Sequence, residues 1–415
     1  MQPTTFEVLY QPLCHYLEVY GGKIDKISDS RGFFFQNFVK IMIYYFVCKV
    51  DSLRSLVIDL KTNPVCEALG LPYVPNSTLQ GAFTRFHSNY FSDMFKYLLK
   101  EIDLLSVPQF ADLGILQVVD GSLFPMIKSV EWAKYMKTKN ALKLHMSFNL
   151  NRMIPTSFIV GSGNSSERDY LTDIIEKGIT YIADRGYFSF KVIAEIAKAK
   201  AFFIIRIKEN MLYEVLFINE ITGGNIPTCF RDVRDELIEF DNDIYKTNLR
   251  LVQFKVWDSY FLIATNRLEL STLQIIILYA YRWQIELMFK FMKRTLKGIH
   301  LVNHSSNGIN IQFYMIMIAA ILQLKIKQKC QKQVDAEVDV EPNKDLKSKQ
   351  LNDIEDIPNN NNCIVTSTIQ PNIWINNINE KLRYFWKLSK QWTNTLKNLL
   401  TITFDSRVVE LLSSA

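Results

Sequence analysis

Gly114-Ile-Leu-Gln-Val-Val-Asp120 is a short apolar run that ends at an aspartate, and Ile179-Thr-Tyr-Ile-Ala-Asp184 repeats this arrangement. Runs of this length and composition are typical of buried strands. A carboxylate at the end of a buried strand is costly unless a cation or hydrogen-bond donors offset its charge. Either aspartate taken alone is also typical of a helix N-cap after a strand. The two runs therefore predict either two caps or one site at which both carboxylates meet.

The elements around these runs predict a mixed sheet covered by helices. A hairpin is expected around Asn151-Arg152, where two strand-like runs meet. Further strands and helices are predicted at 144–150, 153–160, 170–176, 188–199 and 202–207, in the order strand, strand, helix, helix, strand. Together with the two runs above, this order is typical of an α/β domain.

Composition favours a folded protein and excludes several kinds of site. The chain has 415 residues, and 48 Lys and Arg against 42 Asp and Glu give a net charge of +6. This excess is compatible with a polyanionic partner and equally with an ordinary basic protein. The six cysteines form no C-x-x-C pair and the five histidines have no metal-ligand spacing to them, so no zinc site or disulfide framework is expected.

Two apolar runs, 38–48 and 313–322, raise the question of a membrane span. Each is about half of the roughly 20 residues that a spanning helix needs, so both are interpreted as buried core helices. No secretory signal opens the chain. We therefore expect a soluble, cytoplasmic protein with no membrane partner.

A long helix is predicted from Ser271 onward. Gln274, three residues after Ser271, completes a capping box, and Gly298 is a natural end.

Four polar residues of this helix, Tyr279, Arg282, Glu286 and Lys293, are spaced so that they share one face. At about 100° per residue they fall on a stripe roughly 60° wide. One interpretation is a solvated charged face with i,i+4 pairing, such as Arg282 with Glu286. The other is an acid that ligates a divalent metal, among cations that pair with a phosphate backbone.

The carboxylates of Asp120, Asp184 and Glu286 together favour the metal interpretation. Oxygen ligands alone are typical of Mg²⁺ or Mn²⁺ rather than zinc. The three acids are therefore the candidate catalytic and metal-ligating residues.

With its helix stripe and its two aspartate runs, the sequence resembles the insertion-sequence transposases of the IS-four family. Their Y-x2-R-x3-E-x6-K signature matches at all four residues of the helix stripe. The V-D-G-S/T block is similar to Val119-Asp120-Gly121-Ser122, and the D-R-G-Y block to Asp184-Arg185-Gly186-Tyr187. Lys143-Leu-His145 is a supporting segment in family order, and the resemblance covers about residues 5–330.

The resemblance implies an RNase H-like catalytic core, an α/β fold with a mixed sheet flanked by helices, a β-rich insertion and an all-α N-terminal domain. It implies a helical DNA-end-binding domain at 1–107, a catalytic domain at 108–208 and 267–330, and the insertion at 209–266. Beyond the resemblance, the polar composition predicts a linker at 331–364, followed by a C-terminal helical segment at 365–415. That last segment is expected to serve dimerisation or DNA binding.

The resemblance also implies a mechanism and partners. Two divalent ions held by the three acids would cleave DNA at transposon terminal repeats, and the freed 3′-hydroxyl would attack the opposite strand, forming a hairpin, and then the target duplex. A homodimer would pair two ends. The side chains expected to contact DNA are those of Tyr279, Arg282, Lys293, Arg185, Trp257 and Phe261.

Base flipping onto an aromatic residue of the insertion is a further property of this family. Phe261 aligns best with that platform, in place of the usual Trp, with Trp257 and Tyr260 nearby. For each of these three residues, a plain hydrophobic strand position stays an open alternative.

Two rival functions stay open at the level of sequence. One is a repurposed transposon-derived protein that binds DNA without cutting it, and the other is a metal-dependent nuclease that does not join ends. The intact acids and helix signature favour cleavage over the first rival. Joining of a 3′-hydroxyl to a second duplex separates a transposase from the second.

Overall fold

The computed structural model describes residues 5–102, 108–126, 134–136, 139–224, 226, 230–243, 248–256, 259–295 and 301–338. Its helices are α1 (Thr5–Ile27), α2 (Phe35–Val47), α3 (Leu53–Thr62), α4 (Pro64–Ala68), α5 (Asn76–Arg85), α6 (Ser88–Glu101), α7 (Glu167–Asp173), α8 (Phe190–Lys198), α9 (Thr272–Ala280), α10 (Trp283–Lys290) and α11 (Ser306–Val338). Its strands are β1 (Ile115–Met126), β2 (Lys134–Met136), β3 (Lys139–Asn149), β4 (Ile154–Ser162), β5 (Ile179–Ala183), β6 (Phe202–Arg206), β7 (Tyr213–Ile218), β8 (Arg231–Phe240), β9 (Leu249–Val256) and β10 (Ser259–Thr265).

All ten of these strands belong to one mixed sheet, in the order β2-β3-β1-β5-β6-β10-β9-β8-β7 with β4 paired to β3. The central strands β1, β5 and β6 are parallel, and the outer pairs are antiparallel. The predicted α/β order and the hairpin around Asn151-Arg152 are confirmed. Buried aliphatic residues on both faces of β5 explain its central place, since helices cover a parallel sheet on both sides.

The prediction that strand β1 ends at Asp120 is wrong, because the strand continues to Met126. Gly121 and Ser122 are small residues typical of a turn, and glycine is depleted in strand interiors. Beyond Val119, however, β1 pairs only with β3, so this part of the strand has a free side. An edge position tolerates a proline, which cannot donate to a sheet ladder.

The predicted β-rich insertion extends the same sheet. Strand β10 pairs antiparallel with β6, and β9, β8 and β7 follow outward from it. The strands between Asp184 and Glu286 are therefore continuous with the sheet that carries both aspartates.

The N-terminal helices share a hydrophobic core with α11. This helix packs against α1, α2, α5, α6 and strand β4. Its segment Ser306–Lys325 is long and apolar enough to cross a membrane, but 78% of it is buried inside the protein. The runs 38–48 and 313–322 thus lie in core helices, as predicted.

The predicted start of the helix at Ser271 is confirmed, but the prediction of one continuous helix is wrong. Ser271 and Gln274 form the expected capping box at α9. The α-helical pattern then breaks at Tyr281 and Arg282, where Arg282 N–H bonds the carbonyl three residues back, at Tyr279. Helix α10 follows, and a π-turn over Phe291–Thr295 ends it. No proline or glycine marks this break, so the sequence carried no signal for it.

Several predicted regions lie partly or wholly outside the described residues. Helix α11 continues to Val338, past residue 331, where the polar linker was expected to begin. The C-terminal segment 365–415, Trp257 and Gly298 lie outside the described residues.

Candidate active site

Asp120 and Asp184 lie at matching positions of two neighbouring parallel strands. The last pair in the β1–β5 ladder is Val119 with Ala183, and each aspartate comes immediately after its member of that pair. Each carboxylate accepts a hydrogen bond from the next backbone N–H, at 2.7 Å in both cases. The two runs that end at aspartates therefore bring both carboxylates to one edge, where the ladder between their strands stops.

Three residues of the broken helix reach this edge. The Arg282 guanidinium donates to Glu286 Oε1 at 2.9 Å and lies 3.4 Å from Asp120 Oδ2. The Tyr279 hydroxyl lies 3.5 Å from Asp184 Oδ1. The predicted common face of Tyr279, Arg282 and Glu286 is thus confirmed, and it turns toward both strand aspartates. Arg282 is 4% exposed, so this is not a solvated charged surface.

Burial raises the pKa of Asp120 to about 7, although Arg282 and the Gly121 N–H act to lower it. The charges of Glu286 and Asp184 raise it further. A single distant guanidinium therefore does not offset the cost of ionising this buried carboxyl. The site has more negative charge than its own cations balance.

Lys293 and Arg185 lie at the border of the site with different environments. Lys293 Nζ donates to Ser122 Oγ at 2.7 Å and to the Leu123 carbonyl at 2.8 Å, so it ties the π-turn to β1. Burial lowers the pKa of Lys293. Arg185 is exposed, next to Asp184.

Phe261 does not offer an open ring face. Its side chain is fully buried, with the Phe254 ring stacked at 5.1 Å and the Arg206 guanidinium 4.5 Å from its centroid. A base cannot stack on it as placed here, so the expectation for Phe261 is not met and the hydrophobic strand position is the better interpretation. Tyr260, its neighbour, is 41% exposed.

The carboxylate oxygens of the three acids are the ligand type of a hard divalent cation, but the three side chains do not converge on one point. Within the described residues, no three His, Cys, Asp or Glu side chains are gathered closely enough to hold a metal ion as they stand. Arg282 lies between Asp120 and Glu286 and contacts both. Three carboxylates in excess of their cations are nevertheless the oxygen donor set that Mg²⁺ or Mn²⁺ takes.

Two groups of polar residues in and near the site were not predicted. Glu167, at the start of α7, forms an ion pair with Lys143 at 2.6 Å behind Gly121. Only the fold brings these elements together, so spacing gave no signal for the pair. Further away, Asp235 and Arg250 form a buried bidentate pair at 2.6 and 2.8 Å.

The Asp235–Arg250 pair joins the outer strands to the start of α9. Thr272 donates to Asp235 at 2.7 Å, and Thr222 and Thr272 exchange hydrogen bonds from backbone N–H to side-chain oxygen at 3.0 and 3.1 Å. Gly223, at φ +106°, lies against Ser271, where a side chain would collide. Helix α9, which carries Tyr279, is thus anchored at its start to strands β8 and β9.

Comparison with known proteins gives a consistent picture. The family model described as "Transposase DDE domain" matches residues 113–322, just over half of the chain. A protein of Sinorhizobium fredii named as a transposase, y4zB, is 30% identical over 213 residues, which is 50% of this chain and 60% of that protein.

Two further relatives carry transposase names. The protein named for insertion sequence element IS4SA of Synechocystis is 28% identical over 44% of this chain and 52% of its own length. The protein named for element IS5377 of Geobacillus stearothermophilus is 22% identical over 53% of this chain and 59% of its own length. The chain thus matches between about half and six tenths of the length of these relatives.

Proposed function

This chain belongs to the family of proteins with a transposase DDE domain, and from that premise we propose that it is a metal-dependent DNA transposase. It binds transposon terminal repeats, cleaves DNA with Asp120, Asp184 and Glu286, and joins the 3′-hydroxyl ends to target DNA. The observation that carries this proposal is the meeting of the two strand aspartates with the Arg282–Glu286 pair at one sheet edge.

The finer assignment is to the IS-four family with an RNase H-like core. The strand order β4-β3-β1-β5-β6 supports it, with three antiparallel strands followed by two parallel ones. In the signature, Tyr279 contacts Asp184 and Arg282 contacts Asp120, while Arg282 also binds Glu286. The all-α N-terminal region fits the proposed DNA-end-binding part, and the protein acts as a homodimer on two ends.

The three acids hold Mg²⁺ or Mn²⁺ in this proposal. Such cations, when bound, supply an activated water and neutralise charge on the scissile phosphate. Arg282 offsets the repulsion between Asp120 and Glu286 and keeps both oriented toward the edge. Tyr279 directs its hydroxyl at Asp184. The 3′-hydroxyl freed at the element end then attacks a phosphate of the opposite strand, which forms a hairpin and releases the flanking DNA strand. A second water opens the hairpin and restores the 3′-hydroxyl, which attacks a phosphate of the target duplex.

The decisive experiment uses a labelled duplex that carries the ends of the element encoding this chain, with Mg²⁺ and a second unlabelled duplex. The wild-type protein is expected to give hairpin or excised ends and joined products, and Asp184→Ala none. Asp173→Ala, an exposed carboxylate at the end of α7, is the matched control and should behave as wild type. Equal products from Asp184→Ala and wild type would refute the site. Nicked but never joined ends would favour a nuclease.

DNA contact is expected at Arg185, Lys293 and the signature residues. Arg185 is the exposed cation beside the site, so it can reach a phosphate without losing an internal partner. Arg185→Ala should make the slope of log affinity against log salt shallower by about one. Lys198→Ala, which removes an exposed cation of α8 away from the site, is a comparison for general charge loss. An unchanged slope in Arg185→Ala would show that Arg185 does not touch the DNA backbone.

A further inference from the structure

One ion pair, Lys143–Glu167, occupies the space beside two glycines near the site aspartates. Gly121 comes directly after Asp120, and Gly186 comes two residues after Asp184. A Cβ added to Gly121 would lie 2.9 Å from Lys143 Cε and 3.5 Å from Glu167 Oε1. A Cβ added to Gly186 would collide with Glu167 Oε2. Neither glycine has a positive φ, so the missing side chain makes space here and does not serve an unusual backbone conformation.

This pair acts where the sheet no longer holds the two aspartates together. The hydrogen-bonded ladder between β1 and β5 stops at Val119 and Ala183, one residue before each aspartate. Beyond it, Lys143 belongs to β3, which pairs with β1, and Glu167 belongs to α7, which lies against Gly186. Arg168 strengthens the α7 side, since its Nε donates to the Gly186 carbonyl at 3.3 Å. The 2.6 Å ion pair therefore connects the part of β1 that follows Asp120 with the turn that follows Asp184.

The surroundings of the pair are polar and buried. Lys143 and Glu167 are 16% and 27% exposed, so solvent screens them less than a surface pair. Two buried polar atoms beside them, His145 Nδ1 and the Tyr187 hydroxyl, have no hydrogen-bond partner among the described residues. His145 is held through its other nitrogen by Ser165 at 2.7 Å. Unpaired buried polar atoms are costly, so these two lower the stability of the surroundings of the pair.

We propose that Lys143 and Glu167 are positioning residues that fix the separation of Asp120 and Asp184 by clamping the backbone at Gly121 and Gly186. This inference rests on the proposed function, because the separation matters only if the two carboxylates share a cation. Glu167 acts through the backbone at Gly121 and Gly186 and is not itself a metal ligand.

The test measures Mn²⁺ binding to the full-length protein by calorimetry, and separately the Mg²⁺ concentration for half-maximal DNA cleavage. Glu167→Gln and Lys143→Met break the ion pair with little change of shape. Lys143→Arg keeps the charge and is the conservative rescue. Glu195→Gln is the matched control, since Glu195 pairs with Lys198 at 3.7 Å on the exposed surface of α8. Thermal unfolding of each variant reports on folding.

Glu167→Gln and Lys143→Met are expected to weaken Mn²⁺ binding about 10-fold or more, as loss of outer-sphere partners does. The Mg²⁺ requirement should rise in parallel, while Lys143→Arg and Glu195→Gln stay near wild type. Unchanged Mn²⁺ affinity in Glu167→Gln, with or without a lower melting temperature, would show that the pair only stabilises packing and would overturn this inference alone. A wild-type protein that neither binds Mn²⁺ nor cleaves DNA would overturn the proposed function as well.

Discussion

Two aspartate–arginine pairs in this molecule have the same chemistry and opposite character. Arg250 binds Asp235 through two short hydrogen bonds, and Thr272 and Asn219 satisfy the same carboxylate. Burial would raise the pKa of Asp235, but these hydrogen bonds lower it below its ordinary value.

At the sheet edge, Arg282 makes one 3.4 Å contact with Asp120, whose pKa is raised to about 7. Both carboxylate oxygens of Asp235 accept short hydrogen bonds from the surrounding fold, whereas the Asp120 carboxylate keeps acceptor capacity that the fold does not use. A buried carboxylate with spare acceptor capacity is the better indicator of a site, because folding alone does not retain it.

The largest expected difference between the pairs is in stability. Arg250→Ala leaves Asp235 buried without its cation and removes hydrogen bonds to the carbonyls of Leu268 and Leu270. Loss of one partner of a buried pair costs about 3–5 kcal/mol. Arg282→Ala should cost much less in metal-free protein, about 1 kcal/mol or below, because Asp120 can take up a proton. Urea unfolding at neutral pH measures both, and equal losses would contradict the contrast.

A second difference lies in pH dependence. Because the folded-state pKa of Asp120 is raised from 3.8 to about 7, its contribution to stability is complete below about pH 4 and is lost as pH rises through 7. Asp120→Asn removes this loss. In metal-free protein the variant should gain stability over wild type, by up to about 4 kcal/mol at pH 8 before the lost Arg282 contact is subtracted, and by less than half of that at pH 5. A gain that does not grow with pH would mean that Asp120 titrates normally.

The smallest difference concerns one hydroxyl at each pair. Thr272→Val removes the 2.7 Å hydrogen bond to Asp235 and should cost about 1–2 kcal/mol, since the acceptor stays buried. Tyr279→Phe removes a 3.5 Å contact to Asp184 and should cost under about 0.5 kcal/mol, because that contact is long. Thermal unfolding of the two variants ranks them. The reverse order would place the tighter network at the sheet edge.

The residues that sequence reasoning located are those with a local signal. Asp120 and Asp184 could be proposed as one site, because each ends an apolar run typical of a buried strand, where an unpaired carboxylate is costly. That the two strands are parallel neighbours is seen only in the fold. Ser271 and Gln274 form a capping box whose three-residue spacing is itself the geometry. In these cases the information lies within a few residues of the chain.

The features that escaped prediction depend on distant contacts. The extension of β1 through Pro125 depends on which neighbour pairs with it, and no local pattern specifies that. The break at Arg282 arises where the helix meets both aspartates, with backbone dihedrals that stay helical. Glu167 looked like an ordinary residue in the first turn of a helix, and only the approach of α7 to Gly186 gives it a place in the site.

The exchange of hydrogen bonds between Thr222 and Thr272 makes the outer strands and the start of α9 a single mechanical piece. Tyr279 lies about two helical turns further on, just before the break at Arg282. The position from which Tyr279 extends its hydroxyl to Asp184 is therefore set at the far end of α9, by strands that lie outside the β1–β5 ladder.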